Sequence, residues 1–302
     1  IVIAGKLVDE AKNALIHNDH PPLQYIPALY EEIEKSSVPG MILSKEVVLA
    51  ILSLIEISRR LSIYLKNSEM PMIKSTFIDQ LINDKVLEKS ISDIFDEQGE
   101  IASSASPKLK EIRNSIRNKT DELMRKMNSI LRKLSEGSIV QEEFITQREG
   151  RMVIPVKSEH KRQVKGFIHS ESASGQTIYI EPAETLEINN DLISLSFEER
   201  REIDKILERI TKKIADNKLL LSSSLNTVAE IDMIFAKASF SVEIEGAFPE
   251  INDGNIFEII QGKHPGLLKK LGKGKTVPLD FKITSDKKVL IITGPNAGGK
   301  TV

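Results

Sequence analysis

The stretch PKLKEIRNSIRNKTDELMRKMNSILRKLSEG, residues 107–137, decides how the rest of the chain is read. In it Leu109, Ile112, Ile116, Leu123, Met127, Ile130 and Leu134 recur three and four apart, with one polar step around Lys119 or Thr120. That spacing predicts a single long helix with a narrow apolar seam. Ser106 is placed to cap it, Pro107 takes the first helical position where no N–H is needed, and Gly137 is expected to stop it. A second seam follows, with Ile193, Phe197, Ile203, Leu207, Ile210 and Ile214 on one stripe and Glu, Arg and Lys filling the remainder. Each seam needs a partner. The economical solution pairs them with each other, antiparallel, as arms of a long helical hairpin; the alternative buries each separately in a globular bundle. An arm of about thirty residues at ~1.5 Å per residue is on the order of 45 Å long, beyond the radius of a compact domain.

Between the seams the pattern changes. Arg151 to Lys157 and Gly166 to His169 are strand-like, and Gln176 to Pro182 alternates cleanly, with Ser170 to Gly175 as the turn between the last two. A small β module is therefore expected at the tip of the hairpin. From Arg148 to Lys165 it carries six cations, Arg148, Arg151, Lys157, Lys161, Arg162 and Lys165, against Glu149 and Glu159, and His160 adds charge at lower pH. A basic module carried on two rods suits gripping a phosphate backbone, which needs charge and reach but no base readout; a solvated loop face accounts equally well for the charge alone.

The residues before the first seam read as short helices joined by polar breaks. His17-Asn18-Asp19-His20-Pro21-Pro22 is a loop by composition, and without a third ligand nearby His17 and His20 are expected to be solvated rather than metal-bound. Pro39-Gly40, Pro71 and Asp96 to Gly99 mark further breaks, and Ser44 caps a helix with Val47, Leu54, Ile55 and Leu61 on its apolar face. After the second seam, Glu230 to Ala238 continues as helix and Phe248-Pro249-Glu250 closes it. Strand-like Ile256 to Ile260, a loop from Gln261 to Gly266, and a lysine-rich turn holding Lys269, Lys270, Lys273 and Lys275 then precede Val277-Pro278-Leu279. The turn is expected to be solvated, with nucleotide or DNA contact as the alternative.

The last dozen residues carry the chemistry. Val289, Leu290, Ile291 and Ile292 are expected to form a buried strand leading into Gly294-Pro295-Asn296-Ala297-Gly298-Gly299-Lys300-Thr301, the G-x-x-x-x-G-K-[ST] pattern of a phosphate-cradling loop. Glycines let backbone N–H groups turn inward around the phosphates. Lys300 would reach the β and γ phosphates of ATP, and the Thr301 hydroxyl would ligate Mg. The composition is that of an ordinary globular protein: 302 residues, 40% hydrophobic, formal net charge −2 and mean hydropathy −0.18. This length favours two or more domains. Any nucleic-acid contact must come from a local patch. No apolar run approaches the ~18 residues of a membrane span, so no membrane partner is expected. The absence of cysteine excludes disulfides and thiolate metal sites and fits a reducing cytoplasm. A first residue other than Met and a stop at Val302 lead us to expect a piece of a longer protein.

Gly294 to Thr301, with its Gly-Pro-Asn opening and paired glycines, resembles the P-loop of the MutS proteins, and Gly262-Lys263-His264-Pro265-Gly266-Leu267 resembles the His-Pro motif that opens the same ATPase domain. Arg148 to Lys157 together with His169 to Pro182 resembles, more specifically, the second bacterial MutS subfamily, paralogues that lack the mismatch-reading domains and often end in a Smr nuclease domain. The resemblance covers most of the chain after about residue 100. It implies a mainly α fold: a helical core, a long antiparallel helical lever with a small β clamp at its tip, and the start of an α/β P-loop ATPase domain that dimerises. The corresponding division is 1–106 core, 107–137 first lever helix, 138–184 clamp, 185–247 returning lever helices and 248–302 the start of the ATPase. The sequence ends before any second acidic nucleotide motif, so this chain alone is expected not to hydrolyse ATP. The resemblance implies a homodimeric ATP-dependent clamp on DNA, on branched recombination intermediates or non-specific duplex rather than single mismatches, with Arg151, Lys157, Lys161, Arg162 and Lys165 on phosphates. It equally admits a ribosome-binding module switched by ATP, without a role for DNA.

Overall fold

The computed structural model describes residues 1–17, 19–286, 289–291 and 293. The chain is mainly α-helical with small antiparallel sheets. It divides into two compact units, one of residues 1–25, 54–83 and 219–302, the other of residues 26–53 and 84–218.

The first unit holds α1 (Val2–Ile16), the second half of α3 (Lys45–Asn67), α4 (Pro71–Phe77) and nearly all of α8 (Lys218–Glu243). The Glu10 carboxylate of α1 accepts the Met72 and Ile73 amides at 2.9 Å, closing the otherwise uncapped start of α4. Ser224 of α8 accepts the Ile82 amide at 2.7 Å and donates to the Gln80 carbonyl at 3.1 Å, so a buried hydroxyl is fully used. By length and composition α8 passes for a membrane span, yet Leu221, Leu225, Val228, Ile231, Phe235 and Ala238 are buried as in a core helix. The same unit carries strands β5 (Phe257–Gly262) and β6 (Leu279–Ile283), paired antiparallel, and α9 (Pro265–Leu271) between them. His264 caps α9 through its ring nitrogen, so Lys269 and Lys270 sit on a helix where the sequence suggested a turn, and Lys269 pairs with Glu243 at 2.8 Å. Val289, Leu290 and Ile291 correct the expectation of a buried strand: they belong to no strand and are 79%, 52% and 78% exposed, because β5 and β6 pair only with each other and no described strand lies beside the run. Gly294 to Thr301 lie outside the described residues.

The second unit contains α2 (Tyr30–Lys35), the first half of α3, α5 (Lys85–Ser92), α6 (Pro107–Glu136), four strands and α7 (Leu186–Asp216). Ser106 accepts the Leu109 amide at 3.0 Å and Pro107 opens α6. It stops at Gly137 as expected, with an ordinary φ of −85° there, and the left-handed conformation falls on Ser138, φ 52°. Ile139 then donates to the Leu134 carbonyl and Ser138 to that of Ser135, which satisfies the last carbonyls, and Leu134 and Ile139 pack into one apolar cluster. Helices α6 and α7 run antiparallel. Ser106 bonds Glu202 at 2.8 Å, Arg113 bonds Glu199 at 2.6 Å, and Lys119 bonds Asp191 at 2.9 Å, numbers rising on one helix as they fall on the other. The polar step in the α6 seam is thus the place where an ion pair crosses, and the hydrogen bond to Asp191 holds the Lys119 ammonium above its ordinary pKa.

Helix α7 corrects the second seam. Ile206, Leu207, Ile210, Thr211 and Ile214 are buried where α7 meets α2 and α5, with Thr211 accepting the Leu43 amide at 3.0 Å, whereas Phe197 is 59% exposed. At about 100° per residue, Phe197 lies roughly 200° round the helix from Glu199, which faces α6.

Strands β1 (Thr146–Arg148), β2 (Arg151–Lys157), β3 (Gly166–Glu171) and β4 (Thr177–Pro182) form one antiparallel sheet in the order β1-β2-β4-β3. Ile154, Val156, Ile178 and Ile180 pack against Leu123, Met127, Ile130 and Leu131 on the second half of α6. The sheet is therefore seated along the side of α6, with Ile188 of α7 closing the same cluster. At the start of β3 a Cβ on Gly166 would stand 2.1 Å from the Glu181 carbonyl oxygen.

Two substitutions test these local arguments by urea denaturation of the whole chain. Ser138→Gly removes the left-handed penalty and is expected to stabilise by about 1 kcal/mol. Gly166→Ala forces β3 away from β4 and is expected to destabilise by about 1–3 kcal/mol.

Candidate nucleic-acid interface

Alternation along β4 sends Ile178 and Ile180 toward α6 and leaves Tyr179 and Glu181 on the opposite face. Glu181 is completely buried there, and three side chains from three elements meet it. Arg151 of β2 donates to both carboxylate oxygens, at 2.8 and 3.1 Å, the His169 Nε2 of β3 is 2.7 Å away, and the Asn189 side chain of α7 donates at 2.8 Å. Arg151 also donates to Asn190 at 2.6 Å. A buried carboxylate is tolerable only when its charge is matched and its lone pairs are used, and this node does both. It ties β2, β3 and β4 to the first turn of α7. The register shift between Ile168 and Ser170 is what lets His169 reach it.

Beside the node, the Arg148 guanidinium stands 4.2 Å from the centroid of the Tyr179 ring. The residues expected to grip phosphate are not equivalent in this setting. Arg151 is spent on Glu181, its charge cancelled inside the module. Lys157 donates to the Ser138 carbonyl at 3.0 Å and stays partly exposed. Lys161, Arg162 and Lys165 are exposed in the loop between β2 and β3, and their side chains have no ion pair or hydrogen bond among the described residues. His160 lies 3.4 Å from Glu159 and accepts or shares a hydrogen bond with Gln163. The structure therefore brings Lys161, Arg162 and Lys165 together as free charge and separates Arg151 from them. Sequence reasoning missed Glu181 and its partners. The signal was present, since Tyr179 and Glu181 occupy the positions that alternate with Ile178 and Ile180.

No protein-family model matches the chain. Curated relatives match nearly all of it: proteins named Endonuclease MutS2 from Finegoldia magna, 37% identical over 97% of this chain, from Clostridium kluyveri, 35% over 97%, and from Halothermothrix orenii, 37% over 98%. The chain spans 37–38% of the length of these relatives. A mainly helical chain with a small antiparallel sheet, aligned over nearly all of its length with such proteins, is a MutS-type segment. It belongs to the MutS2 branch of the MutS family.

Removing the carboxylate leaves the Arg151, His169 and Asn189 donors without their acceptor. Glu181→Ala is expected to cost about 3 kcal/mol or more, and Glu181→Gln less because it keeps the shape and one acceptor oxygen while turning the other into a donor facing donors, both read from urea denaturation.

Proposed function

We propose that the chain is the nucleic-acid-gripping segment of an ATP-driven MutS-type clamp. In this reading α6 and α7 form the lever, the four-stranded module is its gripping end, and residues 248–302 begin the nucleotide domain, with Gly294 to Gly299 around the phosphates, Lys300 on the β and γ phosphates and Thr301 on Mg. The parent protein would act as a homodimer on DNA. ATP bound between nucleotide domains would draw the levers together, and the name Endonuclease MutS2 borne by the relatives raises a nuclease activity as a further proposal for the parent.

The observation that carries this reading is the free charge of Lys161, Arg162 and Lys165 on a module whose other interior charges are neutralised. Three cations within five residues, none committed to a carboxylate among the described residues, hold phosphate oxygens without reading bases. The antiparallel ion pairs between α6 and α7 support a stiff connection, since each fixes the register of one helix on the other. Recombination intermediates suit such a grip because they present backbones at more than one angle.

The test is a salt titration of branched and duplex DNA against the chain and its Lys161→Glu/Arg162→Glu/Lys165→Glu variant. Affinity should fall steeply with salt in the parent chain, and the variant should lose about three phosphate contacts, lowering the slope of log K against log salt by roughly 2–3. Equal affinity and slope for both proteins would refute the assignment. In the full-length protein Lys300→Ala should abolish ATP hydrolysis, and an unchanged rate would remove Lys300 from the nucleotide site.

A further inference from the structure

The sheet of the gripping module has a second face, and its chemistry differs from that of a phosphate clamp. Phe167 stands directly across from Glu181 on the strand pair β3–β4, so it shares the face that points away from α6. It is 57% exposed on an edge strand. Tyr179 is its diagonal neighbour on that face, about 7–8 Å away by strand geometry, and carries the Arg148 guanidinium over its ring. Two π surfaces, one bare and one topped by a cation, therefore share this face on either side of the His169–Glu181 contact.

Beneath them the face is mixed, with Val153 and Pro155 of β2 buried beside the Glu181 node. Glu181, held by Arg151, His169 and Asn189, fixes the strands from which both rings project. A purely apolar partner laid across this face would strip water from Arg148 without replacing its hydrogen bonds, which is costly. A nucleobase has the matching chemistry: a π face for Phe167 and for the Arg148–Tyr179 pair, polar edges for the charged groups, and a phosphate on the same nucleotide. The free cations Lys161, Arg162 and Lys165 immediately precede Phe167 in the chain. Bases inside a duplex have no free face to offer, so the complementary ligand is one with unpaired bases.

We propose that this open face binds single-stranded nucleic acid, one base stacking on Phe167, its neighbour on the Arg148–Tyr179 pair, and the backbone following Lys161, Arg162 and Lys165. This rests on the nucleic-acid reading of the module and adds a preference for unpaired strands that phosphate contacts alone do not create.

The chain has no tryptophan, so Phe167→Trp introduces a single indole at the stacking position. The whole chain carrying it is titrated with oligothymidylate of about 20 nucleotides, the matching oligouridylate and a duplex of equal length, with binding followed separately by anisotropy of labelled nucleic acid. Both single strands should quench the indole as they saturate, and the duplex should leave emission unchanged. Phe167→Ala should weaken single-strand binding by about five-fold or more, the low end for removal of one stacked base, without altering duplex affinity. If single strands saturate the protein while indole emission stays constant, the stacking site is overturned, and so it is if Phe167→Ala weakens single strand and duplex alike or neither. Loss of binding in the triple lysine–arginine variant with no effect of either Phe167 change would leave the phosphate grip standing and remove the stacking site. Absence of any nucleic-acid binding by the parent chain would remove both. Quenching by only one of the two single strands would uphold the stacking site and restrict it to that nucleotide chemistry.

Discussion

The second unit depends on the burial of one face of a small sheet against the latter half of α6. Ile154, Val156, Ile178 and Ile180 give up water against Leu123, Met127, Ile130 and Leu131, and every one of the eight is under a tenth exposed. A slip of one residue in any strand pair would turn these side chains outward. The apolar contact therefore sets the register, and the register decides which residues meet on the other side. Glu181, Arg151 and His169 converge because the isoleucines between them cannot be anywhere else.

That division of the sheet into a greasy and a polar face organises the candidate site. On the polar face the charges sort themselves by depth. The buried carboxylate takes the nearest guanidinium and imidazole, and the loop from Ser158 to Lys165, too irregular to be drawn into the sheet, keeps its cations in solvent. Arg151, within reach of Glu181, is thus held inside the module, whereas Arg162, with no such partner among the described residues, stays exposed. The same geometry sets the Arg148 guanidinium over the Tyr179 ring and leaves Phe167 exposed two residues after Lys165, a combination of π surface and charge that suits nucleotides better than it suits bare phosphate.

The antiparallel helices show the same economy. The apolar seam of α6 is interrupted at Lys119, and the gap is filled by an ion pair to Asp191 rather than by packing. Over the stretch where only two helices meet, such pairs hold alignment while contributing modestly to stability. Toward Ile214 a third and fourth helix join α7 and the contacts become apolar again.

Much of this was legible from residues alone. The start of α6 follows from Ser106-Pro107, its length from the three-and-four spacing, and β2, β3 and β4 from alternation bounded by turn-forming residues, because these are local consequences of backbone geometry. The cationic loop was visible as charge. What local sequence did not decide is what depends on partners distant in the chain. The left-handed residue after α6 is Ser138 instead of glycine, because Ile139 is pulled into the sheet cluster. Phe197 faces solvent because the α6 contact runs along Asp191, Glu199 and Glu202. Arg151 belongs to Glu181, thirty residues away, and only the folded sheet brings them within hydrogen-bonding distance. Spacing along the chain determined the elements and where charge was concentrated; tertiary structure decided which charges were cancelled and which remained free, since electrostatic pairing follows distance through space.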